Sequence, residues 1–151
     1  MSDNFRSVRR ACTAIQSSRM RGEGVLMIGV VDDDEAMRAA LSSLLRSVGQ
    51  RSVEFASAEE FLQGRLDEMD CLVLDIRLPG LSGLELQRCL TETGNTVPII
   101  FVTARTDAVV REEALQGGAI AFLPKPFSDG ALLGAIDSGL KSRREQNEGK
   151  R

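Results

Sequence analysis

Five short apolar runs alternate with five segments of helical period, and that alternation leaves few folds open to this chain. The runs lie at about 25–31, 51–56, 71–75, 97–103 and 119–123. The third, Cys71-Leu72-Val73-Leu74-Asp75, is too short for a comfortable helix and rich in branched aliphatics, so it reads as a buried strand. It ends in one carboxylate, and the chain then breaks at Leu78-Pro79-Gly80. Between the runs, apolar residues recur at helical spacing. Met37, Leu41, Leu44, Leu45 and Val48 form one such set, closed by Gly49. Ser57 opens the next, with Glu60 placed for a capping box and Phe61, Leu62 and Leu66 inward. Leu86 and Leu90 mark a helix over about 82–93, stopped at Gly94-Asn95. Another spans about 107–116, ended by Gly117-Gly118, and Leu132, Leu133, Ile136 and Leu140 place the last over about 128–141. Strict strand–helix alternation predicts an α/β fold: a doubly wound parallel sheet, helices on both faces, joined by right-handed crossovers.

The 151 residues suit one such domain, expected over 25–141. Residues 1–24, with Arg6, Arg9, Arg10, Arg19 and Arg21, read as a loosely ordered basic arm. Met27 is an alternative natural start, and an amphipathic presequence is a weaker reading. Residues 142–151 read as a charged, frayed tail. A net charge of −3 supplies no basic field for nucleic acid. The chain has no His, which removes His-based triads and His-based phosphotransfer from its repertoire. A zinc site would need Cys12, Cys71 and Cys89 together with an acid. Cys71 and Cys89 instead read as small core residues of a reducing cytosol. No apolar run reaches membrane length and no signal-peptide core is visible, so a cytoplasmic protein is expected.

In a parallel sheet the C-terminal strand ends open on one rim. Here that rim collects Asp32, Asp33, Asp34 and Glu35 after the first strand, Asp75 after the third, Thr103 after the fourth and Lys125 after the fifth. Taken singly, each has an ordinary reading: a turn acid, a strand-end hydroxyl, a surface cation. Together they specify chemistry. Crowded carboxylates repel one another unless a cation neutralises them. Oxygen ligands without His or Cys select a hard ion, most plausibly Mg2+. Lys125 adds a point charge for a phosphoryl group and Thr103 a hydroxyl donor. Asp75 is then available as a carboxylate nucleophile that forms an acyl phosphate.

Four segments carry a family resemblance: Val-Val-Asp-Asp-Asp-Glu at 30–35, Leu-Asp-Ile-Arg-Leu-Pro-Gly-Leu-Ser-Gly-Leu-Glu at 74–85, Val-Thr-Ala-Arg at 102–105 and Phe-Leu-Pro-Lys-Pro-Phe at 122–127. The chain resembles a two-component response-regulator receiver domain over roughly 25–140. With Ser57-Ala58-Glu59-Glu60-Phe61-Leu62, it is most similar to the FixJ-type subgroup. The resemblance implies a flavodoxin-like five-stranded sheet of order 2-1-3-4-5. It implies that Asp75 takes a phosphoryl group from a sensor histidine kinase or a histidine phosphotransfer protein. Asp33 would ligate Mg2+ directly and Asp32 through water, with Asp75 and the backbone carbonyl of Arg77 completing the protein ligands. Asp34 and Glu35 would be helix-start acids. Thr103 and Ala104 would meet the phosphoryl oxygens, Lys125 would pair with them, and the Lys125–Pro126 bond would be cis. Phe122 stands at the family's switch-aromatic position; a plain core aromatic is the competing reading. Arg77 and Arg105 are both placed two residues beyond a site residue, at the mouth of the pocket, where they would tune phosphate lifetime or simply be solvated.

The subgroup's receiver normally precedes a helix-turn-helix domain. Nothing of that kind follows here, so direct DNA binding is not expected. The expected protein is a stand-alone response regulator whose phosphorylation switches a protein-interaction surface, with an unknown downstream protein and possible homodimerisation. It would catalyse only its own phosphorylation and dephosphorylation. A Mg2+-dependent phosphohydrolase of the aspartate-nucleophile kind is the competing class, but it needs a second Asp where Arg77 stands. A phosphorylation-independent receiver-fold interaction module is a further alternative, but it would be expected to lack an acid, Thr103 or Lys125, and all are present; the relic of a two-domain transcriptional regulator is another.

Overall fold

A computed structural model of the protein describes residues 26–64, 68–104 and 107–149. The strands are β1 (Met27–Val31), β2 (Arg51–Phe55), β3 (Cys71–Asp75), β4 (Ile99–Thr103) and β5 (Ala121–Pro124). They alternate with α1 (Glu35–Ser47), α2 (Ala58–Leu62), α3 (Gly83–Glu92), α4 (Ala108–Gln116) and α5 (Asp129–Gly149). The strands form one parallel sheet in the order β2-β1-β3-β4-β5, as the alternation and the resemblance implied.

The central strands β3 and β4 are buried at every position, which is why they read as continuous apolar runs. Successive side chains nevertheless serve different faces, because a strand repeats every two residues. Leu72 and Leu74 join Phe61, Leu86, Leu90 and Ala114 on the side covered by α2, α3 and α4. Cys71 and Val73 join Leu41, Leu45, Leu132 and Ile136 on the side covered by α1 and α5.

Four of the helix starts have a side-chain cap. Asp34, Ser57, Ser82 and Asp107 are the N-caps of α1, α2, α3 and α4, each accepting hydrogen bonds from first-turn amides. At Ser57 the hydroxyl accepts from Glu60 N, half of the expected box. The reciprocal box forms at Ser82 and Glu85, where the side chain of each accepts from the backbone N–H of the other. Gly49, at φ +80°, follows α1 as expected, but Val48 caps the helix and is 49% exposed rather than inward. Leu66 lies outside the described residues.

The last helix departs from the sequence reading. It was expected to stop near Lys141, yet it continues to Gly149 through the segment read as a frayed tail. Residues 142–149 have no apolar stripe to announce a packed helix. Their anchor is polar: Arg143 is buried and donates to Thr96 Oγ1 at 3.4 Å and Gln146 Oε1 at 3.2 Å, while Thr96 Oγ1 donates to Gln146 Oε1 at 2.9 Å. The arginine head thus bonds the loop before β4.

Candidate functional site

The sheet register builds the site. Val31 pairs with Leu74, so Asp32 and Asp75 leave neighbouring strands side by side. Asp75 pairs with Val102, which brings Thr103 to the next strand end, and Thr103 pairs with Pro124. Lys125 N donates to the Thr103 carbonyl at 2.7 Å, which starts the lysine back toward the acids. The Lys125–Pro126 peptide is cis.

Asp32 is almost wholly buried and held at every polar group. Its N–H donates to Phe55 O at 3.1 Å, its carbonyl accepts from Arg38 Nη1 at 2.8 Å, and its Oδ1 accepts from Asp34 N at 2.9 Å. Oδ2 accepts from Lys125 Nζ at 2.9 Å. Asp33 is exposed beside it. Asp34 Oδ1 accepts from Ala36 N at 3.0 Å and Met37 N at 3.4 Å, so this acid caps α1, the role expected of it. Carboxylate oxygens of Asp32, Asp33 and Asp75 lie within 4.8 Å of one another.

Lys125 Nζ also donates to Asp75 Oδ2 at 3.2 Å, so one ammonium bridges two buried acids. Burial pushes the Asp75 carboxyl above its ordinary pKa; the Lys125 charge opposes this, the Asp32 charge adds to it, and the Arg77 N–H opposes it. Burial works against the Lys125 ammonium, but its hydrogen bond to Asp32 and the charges of Asp75 and Asp32 outweigh it and raise its pKa. Thr103 is fully buried at the end of β4, and Ala104 after it is exposed. Phe122 is half-buried against the core on the α3–α4 side.

The loop after β3 closes the remaining side. Arg77 N donates to Asp75 Oδ1 at 3.1 Å, and the Arg77 side chain is exposed. Asp33, Arg77, Pro79, Ser82 and Val110 border an open groove of about 520 Å3 beside the acids. Arg105, expected at the same mouth, lies outside the described residues. Three close carboxylates, joined among the described residues by no histidine or cysteine ligand, fit a hard, oxygen-liganded cation such as Mg2+.

Some supporting residues escaped the sequence reading. Arg38, which holds the Asp32 carbonyl and reaches Glu54 at 3.6 Å, carries no motif. Gln87 is buried on α3 and donates to Ala114 O at 2.9 Å, although only Leu86 and Leu90 signalled the inward face. The Ser82/Glu85 box was legible, since Ser-x-x-Glu before an apolar run is its signature.

Residues 28–137 match the response regulator receiver domain family. This chain belongs to that family. It is 45% identical over 126 residues to nodulation protein W of Bradyrhizobium diazoefficiens, covering 83% of this chain and 56% of that protein. It is 38% identical over 122 residues to the transcriptional regulatory protein FixJ of Azorhizobium caulinodans, covering 80% of this chain and 58% of that one. The receiver thus spans a little over half the length of these curated relatives. Among solved structures, response regulator StyR superposes with a TM-score of 0.79 at 44% identity, covering 84% of this chain and 65% of that one. The structure titled FixJ-N superposes with a TM-score of 0.72 at 33% identity, covering 81% and 96%. The resemblance to the FixJ-type subgroup is borne out, and the family places the chain in two-component signalling. Among the described residues, no helix is long and apolar enough to cross a membrane.

Proposed function

We propose that this receiver is a Mg2+-dependent phosphoacceptor switch, with Asp75 the residue that takes the phosphoryl group. The supporting observation is the cluster itself: three carboxylates within 4.8 Å, two of them bridged by Lys125 Nζ. The donor is a phosphohistidine on a sensor histidine kinase or a histidine phosphotransfer protein. An Asp75 carboxylate oxygen attacks phosphorus, the new O–P bond forms, and the N–P bond breaks with its electron pair left on the imidazole. Oδ2 is the reacting oxygen in this reading, because Oδ1 is held by Arg77 N while Oδ2 lies beside the Lys125 ammonium.

Asp32, Asp33, Asp75 and the Arg77 carbonyl would hold the metal, which when bound neutralises charge on the transferring phosphoryl group. Lys125 exchanges its bond to Asp75 for a phosphoryl oxygen and keeps its bond to Asp32. Thr103 turns its hydroxyl, with the Ala104 amide beside it, toward the same group. Phe122, half-buried, then shifts between two packings and reshapes the surface of α4, β5 and α5, as a population shift. The output is a change in what that surface binds: an unidentified downstream protein or a second copy of this chain. The domain turns over no separate substrate; it catalyses its own phosphorylation and its slow hydrolysis. Its place is the cytoplasm, where such kinases present their phosphohistidine.

The test is 31P NMR of the protein with acetyl phosphate. A protein-bound aspartyl-phosphate resonance, separate from that of acetyl phosphate, that forms with Mg2+ and fails to form with excess EDTA supports the reading. A folded protein that shows no such resonance under either condition is a phosphorylation-independent interaction module instead.

A further inference from the structure

The loop that carries Arg77 runs from the end of β3 to the start of α3 and needs anchors, since three of its residues, Arg77, Pro79 and Gly80, are exposed. One anchor is internal: Gly83 N donates to Ile76 O at 2.9 Å and closes the loop at its base. Leu78 and Leu81 supply apolar contact, each buried to within 8%. The remaining anchor comes from a different element. Leu81 N donates to Glu59 Oε2 at 2.9 Å, across 22 residues of sequence, and Glu59 sits half-buried on α2.

The backbone is shaped for that contact. Gly80 has φ +75°, a left-handed turn that suits glycine. A Cβ on Gly80 would lie 2.5 Å from Glu59 Oε2, so the absent side chain is what lets the carboxylate approach. A turn that presents an N–H and clears space for a charged acceptor makes a strong bond, because hydrogen bonds to an ionised acceptor exceed neutral ones. α2 is itself fixed: Ala58, Phe61 and Leu62 are buried in the core, so Glu59 is mounted on a rigid base.

We propose that Glu59 is a positioning residue for the site, clamping the loop so that the Arg77 peptide stays aligned with the Asp75 carboxylate. The Arg77 N–H bond to Asp75 Oδ1, at 3.1 Å, is the contact through which this clamp acts. Glu59 touches neither the acids nor any reacting atom. Its effect on metal binding and phosphoryl lifetime rests on the function proposed above; its effect on the Arg77 amide does not.

The experiment compares wild type, Glu59→Ala and Glu59→Gln as full chains, by amide hydrogen exchange and by Mg2+ titration followed through amide shifts. In Glu59→Ala the Leu81 and Arg77 amides exchange about tenfold faster, the scale set by losing a bond to a charged acceptor. The Val73 amide in the central strand keeps its protection, and the Mg2+ midpoint rises several-fold. Glu59→Gln, which keeps an oxygen acceptor, falls between the two and guards against a folding defect in the alanine variant. Faster exchange confined to Leu81, with the Arg77 amide and Mg2+ midpoint unmoved, would overturn the proposal. Should wild type take no phosphoryl group from acetyl phosphate, the phosphoacceptor reading fails, while the Arg77 exchange rate still decides the clamp.

Discussion

The Lys125 ammonium donates at 2.9 Å to the Asp32 carboxylate, 93 residues earlier in the chain. Asp32 is 1% exposed, so this lysine is the cation that makes a buried acid tolerable there. Removing one partner of a buried pair leaves the other charge uncompensated, at about 3–5 kcal/mol in fully enclosed cases. Here the site opens beside exposed Asp33. We therefore expect Lys125→Met to cost about 2–3 kcal/mol in EDTA, a drop of roughly 4–12 °C in thermal midpoint for a chain of this size. Added Mg2+ should restore part of it, since any close cation relieves the acids. Thermal unfolding in the two buffers checks this, and an unchanged midpoint in EDTA would mean the ammonium contributes no net stability.

Asp75 should show the opposite sign. Burial raises its folded pKa above the ordinary carboxylate value. A raised folded pKa contributes stability that is present at acid pH and lost as pH rises through that pKa. Above that pKa the ionised side chain is a cost, and Asp75→Asn should be more stable than wild type in EDTA at neutral pH. The gap should narrow as pH falls through the raised pKa. Denaturant midpoints of both proteins at pH 7 and pH 4 read it, and a less stable variant at pH 7 would contradict it.

Cys71 gives an alkaline signature. It is wholly buried, and burial pushes its thiol up to about 12 from 9.0. The folded state thus favours the neutral thiol. This contribution is complete below pH 9 and declines as pH rises from about 9 toward 12. Denaturant midpoints taken from pH 8 to pH 10.5 should fall, and fall less in Cys71→Ala. Alkylation at pH 8 with peptide mapping should find Cys71 modified only after unfolding, because the thiolate is the reactive form. Labelling of Cys71 in the native protein would show the strand to be open.

Gly83 is a steric test of how α3 is seated. A Cβ there would collide with the Asp75 carbonyl oxygen and lie 2.9 Å from Ile76 Cα, both backbone atoms with nowhere to move. Overpacking against fixed atoms costs on the order of 3 kcal/mol. Gly83→Ala should lower the thermal midpoint by roughly 6–12 °C. Because the strain falls on Asp75 itself, the variant should also bind Mg2+ more weakly. Wild-type stability in this variant would mean α3 is free to slide away from the strand end.

Much of the fold was legible because its causes are local. Period-2 and period-3.6 patterns, with Gly49, Gly94 and Gly117-Gly118 as stops, placed every described element to within a few residues, apart from the end of α5. The rim residues were legible because a parallel sheet sends every C-terminal strand end to one side. What stayed hidden depends on single long-range polar contacts. Nothing in Glu59 announces that its partner is Leu81 N, and nothing in Gln87 announces Ala114 O. The extension of α5 to Gly149 was hidden for the same reason: Arg143 is held by Thr96, in the loop before β4, rather than by an apolar stripe. Val48 failed the other way, since helical spacing places it on the inward row while the helix ends one residue before it.

The proposed switch turns on Asp75 as the phosphoacceptor. Intact-mass analysis of wild type and Asp75→Asn, after acetyl phosphate and Mg2+, tests it most directly. One phosphoryl group should be added to wild type and lost on standing at neutral pH, and none should be added to Asp75→Asn. Equal incorporation into both proteins would place the chemistry on a residue other than Asp75 and overturn the proposed role.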